Sequence, residues 1–200
     1  MEKVGTKVIS ATRVDDHWEI VTEHGGAQQT HTARALVNAG GPWVENIVRN
    51  VARQNTSEGV RLVRGSHIVT KRLFDHDKSY FFQGEDGRII FAIPYETDFT
   101  LIGTTDKAYH GDPDDYRVTR ASIEGLIAEV NASFSGLAIA YEDVRHCYGG
   151  LRPLVEDQTE ETYTSSRKYE IYDNARDGLN GLLTVEGGKW TTSRHLAENV

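Results

Sequence analysis

Ala35-Leu36-Val37-Asn38-Ala39-Gly40-Gly41-Pro42-Trp43 is the stretch that decides how the chain reads. Ala35-Leu36-Val37 is short and wholly apolar, as expected of a strand covered on both faces. It breaks at a glycine pair. Val44, Ile47, Val48 and Val51 then recur at i, i+3, i+4, i+7 spacing with Pro42 near the start, which predicts a helix. A strand that runs through glycines into a helix lets a ligand approach the backbone and offers it free N–H groups. The pattern returns near the other end, where Leu182 to Val185 reads as a strand, Gly187-Gly188 follows, and a helix starts at about Lys189. A helix N-terminus acts as roughly half a positive charge and favours anions. A glycine pair by itself also makes an ordinary turn, so neither junction alone names a ligand. Together they predict pieces of one α/β domain at the two ends of the chain.

Working outward, Lys7 to Arg13 and His17 to Thr22 alternate as strands around Val14-Asp15-Asp16. His24-Gly25-Gly26 makes the next turn and Gln28 to Thr32 a third strand. The result is an antiparallel meander with Trp18, Ile20 and Thr22 on one face. From Val60 the strands are Arg61 to Thr70, Ser79 to Gln83, Ile89 to Ile93 and Phe99 to Gly103, with a hairpin turn at Glu85-Asp86-Gly87. One amphipathic helix carries Ile123, Leu126, Ile127, Val130 and Phe134 on a single face, with Thr119 as its cap and Gly136 past its end. Further strands fall near Asp143 to Arg152 and Ser166 to Tyr172. The fold class is therefore mixed α/β and α+β. Residues 1–58 and 182–200 form a partial Rossmann-like domain with a β-meander, and 59–181 a domain built on a mixed antiparallel sheet.

Composition narrows the function classes. The 200 residues are 38% hydrophobic and 26% charged, an ordinary globular balance. A net charge of −8 argues against general nucleic-acid binding, so an anionic ligand needs positive charge gathered locally. The single cysteine, Cys147, cannot form an internal disulfide and reads as a core thiol. No apolar run approaches a membrane span, which gives a cytoplasmic reading with peripheral contact at the inner membrane face left open. Both ends look cut, as if the chain were an internal segment of something longer.

The local charge has candidates. Arg152 stands in Gly149-Gly150-Leu151-Arg152-Pro153-Leu154 among small and apolar neighbours, and its planar fork matches phosphate or carboxylate oxygens. Arg167 lies beside the strand at Tyr169, and His67 in Arg64-Gly65-Ser66-His67-Ile68-Val69. A solvated face accounts equally well for Arg167, and a histidine placed like His67 is by itself more often structural. No G-x-G-x-x-G occurs, so the pyrophosphate loop of a Rossmann nucleotide site is missing. There is no C-x-x-C, H-E-x-x-H or P-loop, so the sequence proposes no metal site.

Taken in order, Arg64 to Val69, Ile102-Gly103-Thr104-Thr105-Asp106, Gly150 to Leu154 and Gly187-Gly188-Lys189-Trp190-Thr191-Thr192-Ser193-Arg194 resemble the flavin-dependent glycerol-3-phosphate dehydrogenases, over almost the whole chain. Ala35 to Trp43 resembles their strand end too. The resemblance implies the fold of D-amino-acid and glycine oxidases, in which an FAD domain is interleaved with an antiparallel substrate domain. It implies cofactor contacts at Gly40, Gly41, Gly187, Gly188, Lys189, Trp190 and Thr191. It implies that sn-glycerol 3-phosphate becomes dihydroxyacetone phosphate by hydride transfer to FAD, with quinone or oxygen as the next acceptor. Arg152, Lys189 and His67 are the catalytic candidates that follow from it, and Arg152, Arg167, Lys189, Thr104 and Thr105 the substrate contacts. The cationic members are expected to gather in one hollow, with Asp106 helping to shape it. The FAD fingerprint of the family is not in this sequence, so the chain by itself is expected to bind FAD weakly or not at all, and to be inactive. Two other readings stay open: an amine or hydroxy-acid oxidase of the same fold, and a non-catalytic phosphate-binding module.

Overall fold

The structure is a computed structural model, and it describes residues 3–53, 60–84, 86–155 and 168–200. In chain order the elements are β1 (Lys7–Val14), β2 (His17–His24), β3 (Ala27–Ala33), β4 (Leu36–Asn38), α1 (Val44–Asn46), β5 (Val60–Lys71), β6 (Tyr80–Gln83), β7 (Ile89–Tyr95), β8 (Phe99–Gly103), β9 (Lys107–Tyr109), α2 (Arg120–Ser133), β10 (Val144–Val155), β11 (Tyr169–Asp173), β12 (Leu182–Gly187) and α3 (Ser193–Asn199). The chain divides into two compact units. One holds the described residues up to Arg61 together with those from Pro153 onward, and the other the described residues of Leu62–Arg152.

In the first unit β1, β2 and β3 form the expected meander, each antiparallel to the next. Asp15, at positive φ, makes the first turn. A second sheet, ordered β11-β12-β4, pairs β11 antiparallel to β12 and β12 parallel to β4, with Leu182 opposite Leu36. Trp18 is 1% exposed and packs with Ala11, Ile20, Ala52, Leu179 and Leu182. Two expectations change here. Val37 is 46% exposed, so β4 is not covered on both faces among the described residues. The helix after Gly41 is uneven: a 3₁₀ turn at Gly41–Trp43, one α turn, then a π turn over Ile47–Val51. Val44 and Val48 still bury the predicted face.

In the second unit the sheet is ordered β10-β5-β8-β7-β6, with β9 also on β5. Alternation along each strand sends Ile68, Ile90, Ala92 and Ile102 to one face, where they meet Ile123, Leu126, Ile127 and Val130 of α2. Leu126 is fully buried, which stabilises the unit by about 2 kcal/mol. Thr119 caps α2 by accepting from the Ser122 N–H, and Gly136 takes the positive φ that ends the segment. Cys147 is partly buried against this core, as a packing thiol should be. The turn between β6 and β7 closes with Gly87 N–H donating to Gly84 O, and Glu85 lies outside the described residues.

The second boundary falls earlier than the sequence suggests. Tyr169–Asp173 pairs with β12, so it belongs to the first unit rather than to a domain running to 181.

Candidate active site

The face of the second unit's sheet that points away from α2 carries the candidate residues His67 and Arg152. Pairing registers His67 opposite Gly103, Gly103 opposite Phe91, and Phe91 opposite Phe81. These four positions make a row across β5, β8, β7 and β6. The His67 ring reclines over Gly103, where any Cβ would collide with the imidazole carbons. Its other face stacks on Tyr148, with centroids 5.1 Å apart and planes 8° from parallel.

Arg152 makes use of a second glycine. Its Nη2 stands 2.5 Å from where a Cβ of Gly65 would be, so the guanidinium packs closely against β5. Nη2 donates to Thr104 Oγ1 at 2.9 Å, and Nη1 pairs with Asp106 Oδ1 at 3.3 Å. Thr104 Oγ1 donates onward to Thr105 O, which turns its lone pairs toward the arginine.

Behind them runs a strap. Thr105 is buried, its Oγ1 accepts the Ser66 N–H at 2.8 Å, and its own N–H donates to Ser66 O at 3.2 Å. Tyr116 Oη donates to Gly65 O and lies within hydrogen-bond distance of Ser66 Oγ. Thr105, expected among the substrate contacts, is thus committed to holding the Thr104–Asp106 segment on β5.

The electrostatics follow from this packing. Burial lowers the His67 pKa below its ordinary 6.5, and the adjacent Arg152 charge lowers it further. His67 is therefore a neutral imidazole at neutral pH, able to accept a proton. Burial pushes the Tyr148 phenol up, with Tyr95 adding to the effect. A neutral imidazole beside a fixed guanidinium suits a substrate that carries both a hydroxyl and an anionic group.

The first unit holds the glycine junctions. Because β4 and β12 are parallel neighbours, both chains leave the sheet at the same end, where α/β folds place nucleotide ligands. Gly41 has φ +56 with nothing within 4 Å of a would-be Cβ, leaving the backbone open to a ligand. Gly40 serves packing instead, since a Cβ there would strike the Ile47 side chain. Asn38 braces the turn, donating from Nδ2 to Val44 O and accepting the Gly40 N–H. At the other junction Gly187 and Gly188 both take positive φ, and a Cβ on Gly187 would lie 2.8 Å from Lys168 O. Lys189, Trp190 and Thr191 are exposed, Trp190 at 92%. These features fit a dinucleotide cofactor approaching along the backbone.

Of the expected substrate group, His67, Arg152 and Thr104 come together in the second unit, Lys189 belongs to the first, and Arg167 lies outside the described residues. Tyr148 and the notches at Gly65 and Gly103 were not picked out from sequence. A signal existed for Tyr148, because His146, Tyr148 and Arg152 share one parity along β10. Among the described residues no cluster suited to a metal ion occurs, and no helix is long and apolar enough to cross a membrane.

Comparison with known proteins gives the same picture. Residues 2–194 match the model of the DAO family of FAD-dependent oxidoreductases. Glycerol-3-phosphate dehydrogenase of Pseudomonas aeruginosa is 40% identical over 195 residues, and D-erythritol 1-phosphate dehydrogenase of Brucella abortus is 41% identical over 195. The alignments cover 97% and 96% of this chain, which spans 38% of the length of each relative. The crystal structure of glycerol-3-phosphate dehydrogenase from Bacillus halodurans, complexed with FAD, superposes with a TM-score of 0.81 at 30% identity, covering 97% of this chain and 37% of that one. The chain belongs to the FAD-dependent oxidoreductase family, in its DAO branch.

Proposed function

We propose that this chain is the substrate-recognising segment of a flavoenzyme that oxidises sn-glycerol 3-phosphate to dihydroxyacetone phosphate, its electrons passing on to a quinone or to oxygen. The observation that carries the reading is the pairing of a neutral His67 with a fixed Arg152 on one sheet face. FAD, when bound, supplies the hydride acceptor. His67 takes the proton of the substrate hydroxyl at an imidazole nitrogen. Arg152 donates to an oxygen of the substrate and stabilises negative charge there. Gly41 keeps the backbone open to the cofactor, Gly187 and Gly188 supply the positive-φ turn at the second junction, and Lys189 adds positive charge there. Arg167 remains a proposed phosphate contact.

One observation favours a neighbouring substrate: the relative of 41% identity is named for D-erythritol 1-phosphate. Both substrates are phosphorylated polyols, so the same groups serve either. The deciding experiment is turnover by the FAD-loaded full-length protein on glycerol 3-phosphate, D-erythritol 1-phosphate and a set of amino acids. Oxidation of the phosphorylated polyols alone is expected, and preference for an amino acid would overturn the reading. The 200-residue chain is expected to purify without colour, since it has no G-x-G-x-x-G loop.

A further inference from the structure

We infer that Asp106 is a positioning residue for Arg152: it holds one end of the guanidinium while Thr104 holds the other, so that the plane of the fork is set before substrate arrives. Three observations converge on this. Both terminal nitrogens are engaged, Nη1 by the Asp106 carboxylate at 3.3 Å and Nη2 by Thr104 Oγ1 at 2.9 Å. The group packs against Gly65, whose missing side chain leaves the space that Nη2 and Cζ occupy. The Asp106 side chain is 6% exposed, and the segment it ends is tied to β5 through both hydrogen bonds between Thr105 and Ser66.

The physical logic concerns mobility. A free arginine rotates about several bonds and loses that freedom on binding, which weakens the net interaction. A guanidinium held at both ends has already lost it. A buried carboxylate is suited to the task, because a charge-assisted hydrogen bond is about twice as strong as a neutral one. It also offsets the cost of keeping Arg152 charged in a partly buried place, which a neutral acceptor cannot do. The effect reaches substrate through Arg152, so Asp106 itself need touch nothing that reacts.

The inference rests on the reading of Arg152 as a substrate-binding group, and the test separates the two. Nitrogen-detected NMR of the arginine side chains in the 200-residue chain reports rotation of each guanidinium. Separate, slowly exchanging Nη signals are expected for Arg152 in the unaltered protein. They should average in Asp106→Asn, and in Thr104→Val, which removes the other anchor without changing charge. Averaged signals in the unaltered chain, or signals that stay separate in both variants, would overturn the inference. A kinetic arm uses the FAD-loaded full-length protein. There Arg152→Gln and Asp106→Asn are each expected to lower kcat/KM, by about 100-fold for a displaced catalytic contact. The double variant should be no worse than Arg152→Gln alone, because Asp106 acts through the arginine. Losses that multiply would refute positioning. Unaltered kinetics in Arg152→Gln would instead remove the substrate role of Arg152, on which the inference stands.

Discussion

The imidazole of His67 lies across the backbone of Gly103, its register partner on the adjacent strand, in space that any other residue would fill. Stacking on Tyr148 closes the opposite face of the ring, so the histidine is held between a strand and a phenol. That arrangement makes the glycine as necessary as the histidine. Gly103→Ala is expected to destabilise the second unit by about 1–3 kcal/mol, the usual cost of overpacking. Adding His67→Ala should restore most of that stability by emptying the contested space. Urea unfolding of the two single variants and the double variant measures it. Additive losses would mean that the two residues do not compete.

The histidine also links stability to pH. Burial first, and Arg152 second, keep its folded-state pKa below the ordinary 6.5. Above pH 6.5 the ring is neutral in both folded and unfolded chains, and its contribution is intact. As pH falls through 6.5 the unfolded chain takes up the proton first, so stability is lost until the lower folded-state pKa has been passed. His67→Gln should flatten this part of the acid slope. Unfolding free energies measured at intervals below neutral pH check it, and parallel slopes in the two proteins would refute it.

A third expectation concerns the core beneath the site. Arg88 is 9% exposed, and its Nη2 bonds Glu129 Oε1 of α2 at 3.1 Å. The Glu129 carboxylate occupies room left by Gly84, where a Cβ would stand 3.0 Å away. Glu129→Ala leaves the buried guanidinium to the more exposed Asp86 carboxylate, 3.3 Å from its Nε, and about 1–3 kcal/mol of stability should go with the lost pair. Replacing both residues by apolar ones of similar volume should cost far less. Denaturant midpoints of the two variants decide the matter.

Much of this was legible beforehand, for reasons that differ by residue. Period-2 alternation exposed the long strands, and the spacing of Ile123, Leu126, Ile127 and Val130 fixed the buried face of α2. Arg152 stood out because glycine, leucine and proline around it give an arginine no reason to be there. Lys107–Tyr109 escaped notice because three residues are too few to show a period. The π turn at Ile47–Val51 escaped for another reason, since a widened turn leaves the apolar spacing almost unchanged. Tyr169–Asp173 reads as a strand of either unit until pairing with β12 assigns it. Gly65 and Gly103 were hardest to see, because their importance lies in which side chain from another strand lies over them. That relation is set by register, and a sequence does not display register.

The parallel partnership of Leu36–Asn38 with Leu182–Thr184 has a kinetic side. All of Leu62–Arg152 must be spanned before these two strands can meet, and closing so long a loop is entropically slow. In the intervening unit β6, β7 and β8 pair as successive strands and can form while the outer sheet is still open. Entry and exit on β5 and β10, which are neighbours in one sheet, give it the form of a cassette. Such an insert can change in sequence while the parallel pairing of β4 with β12 stays as it is.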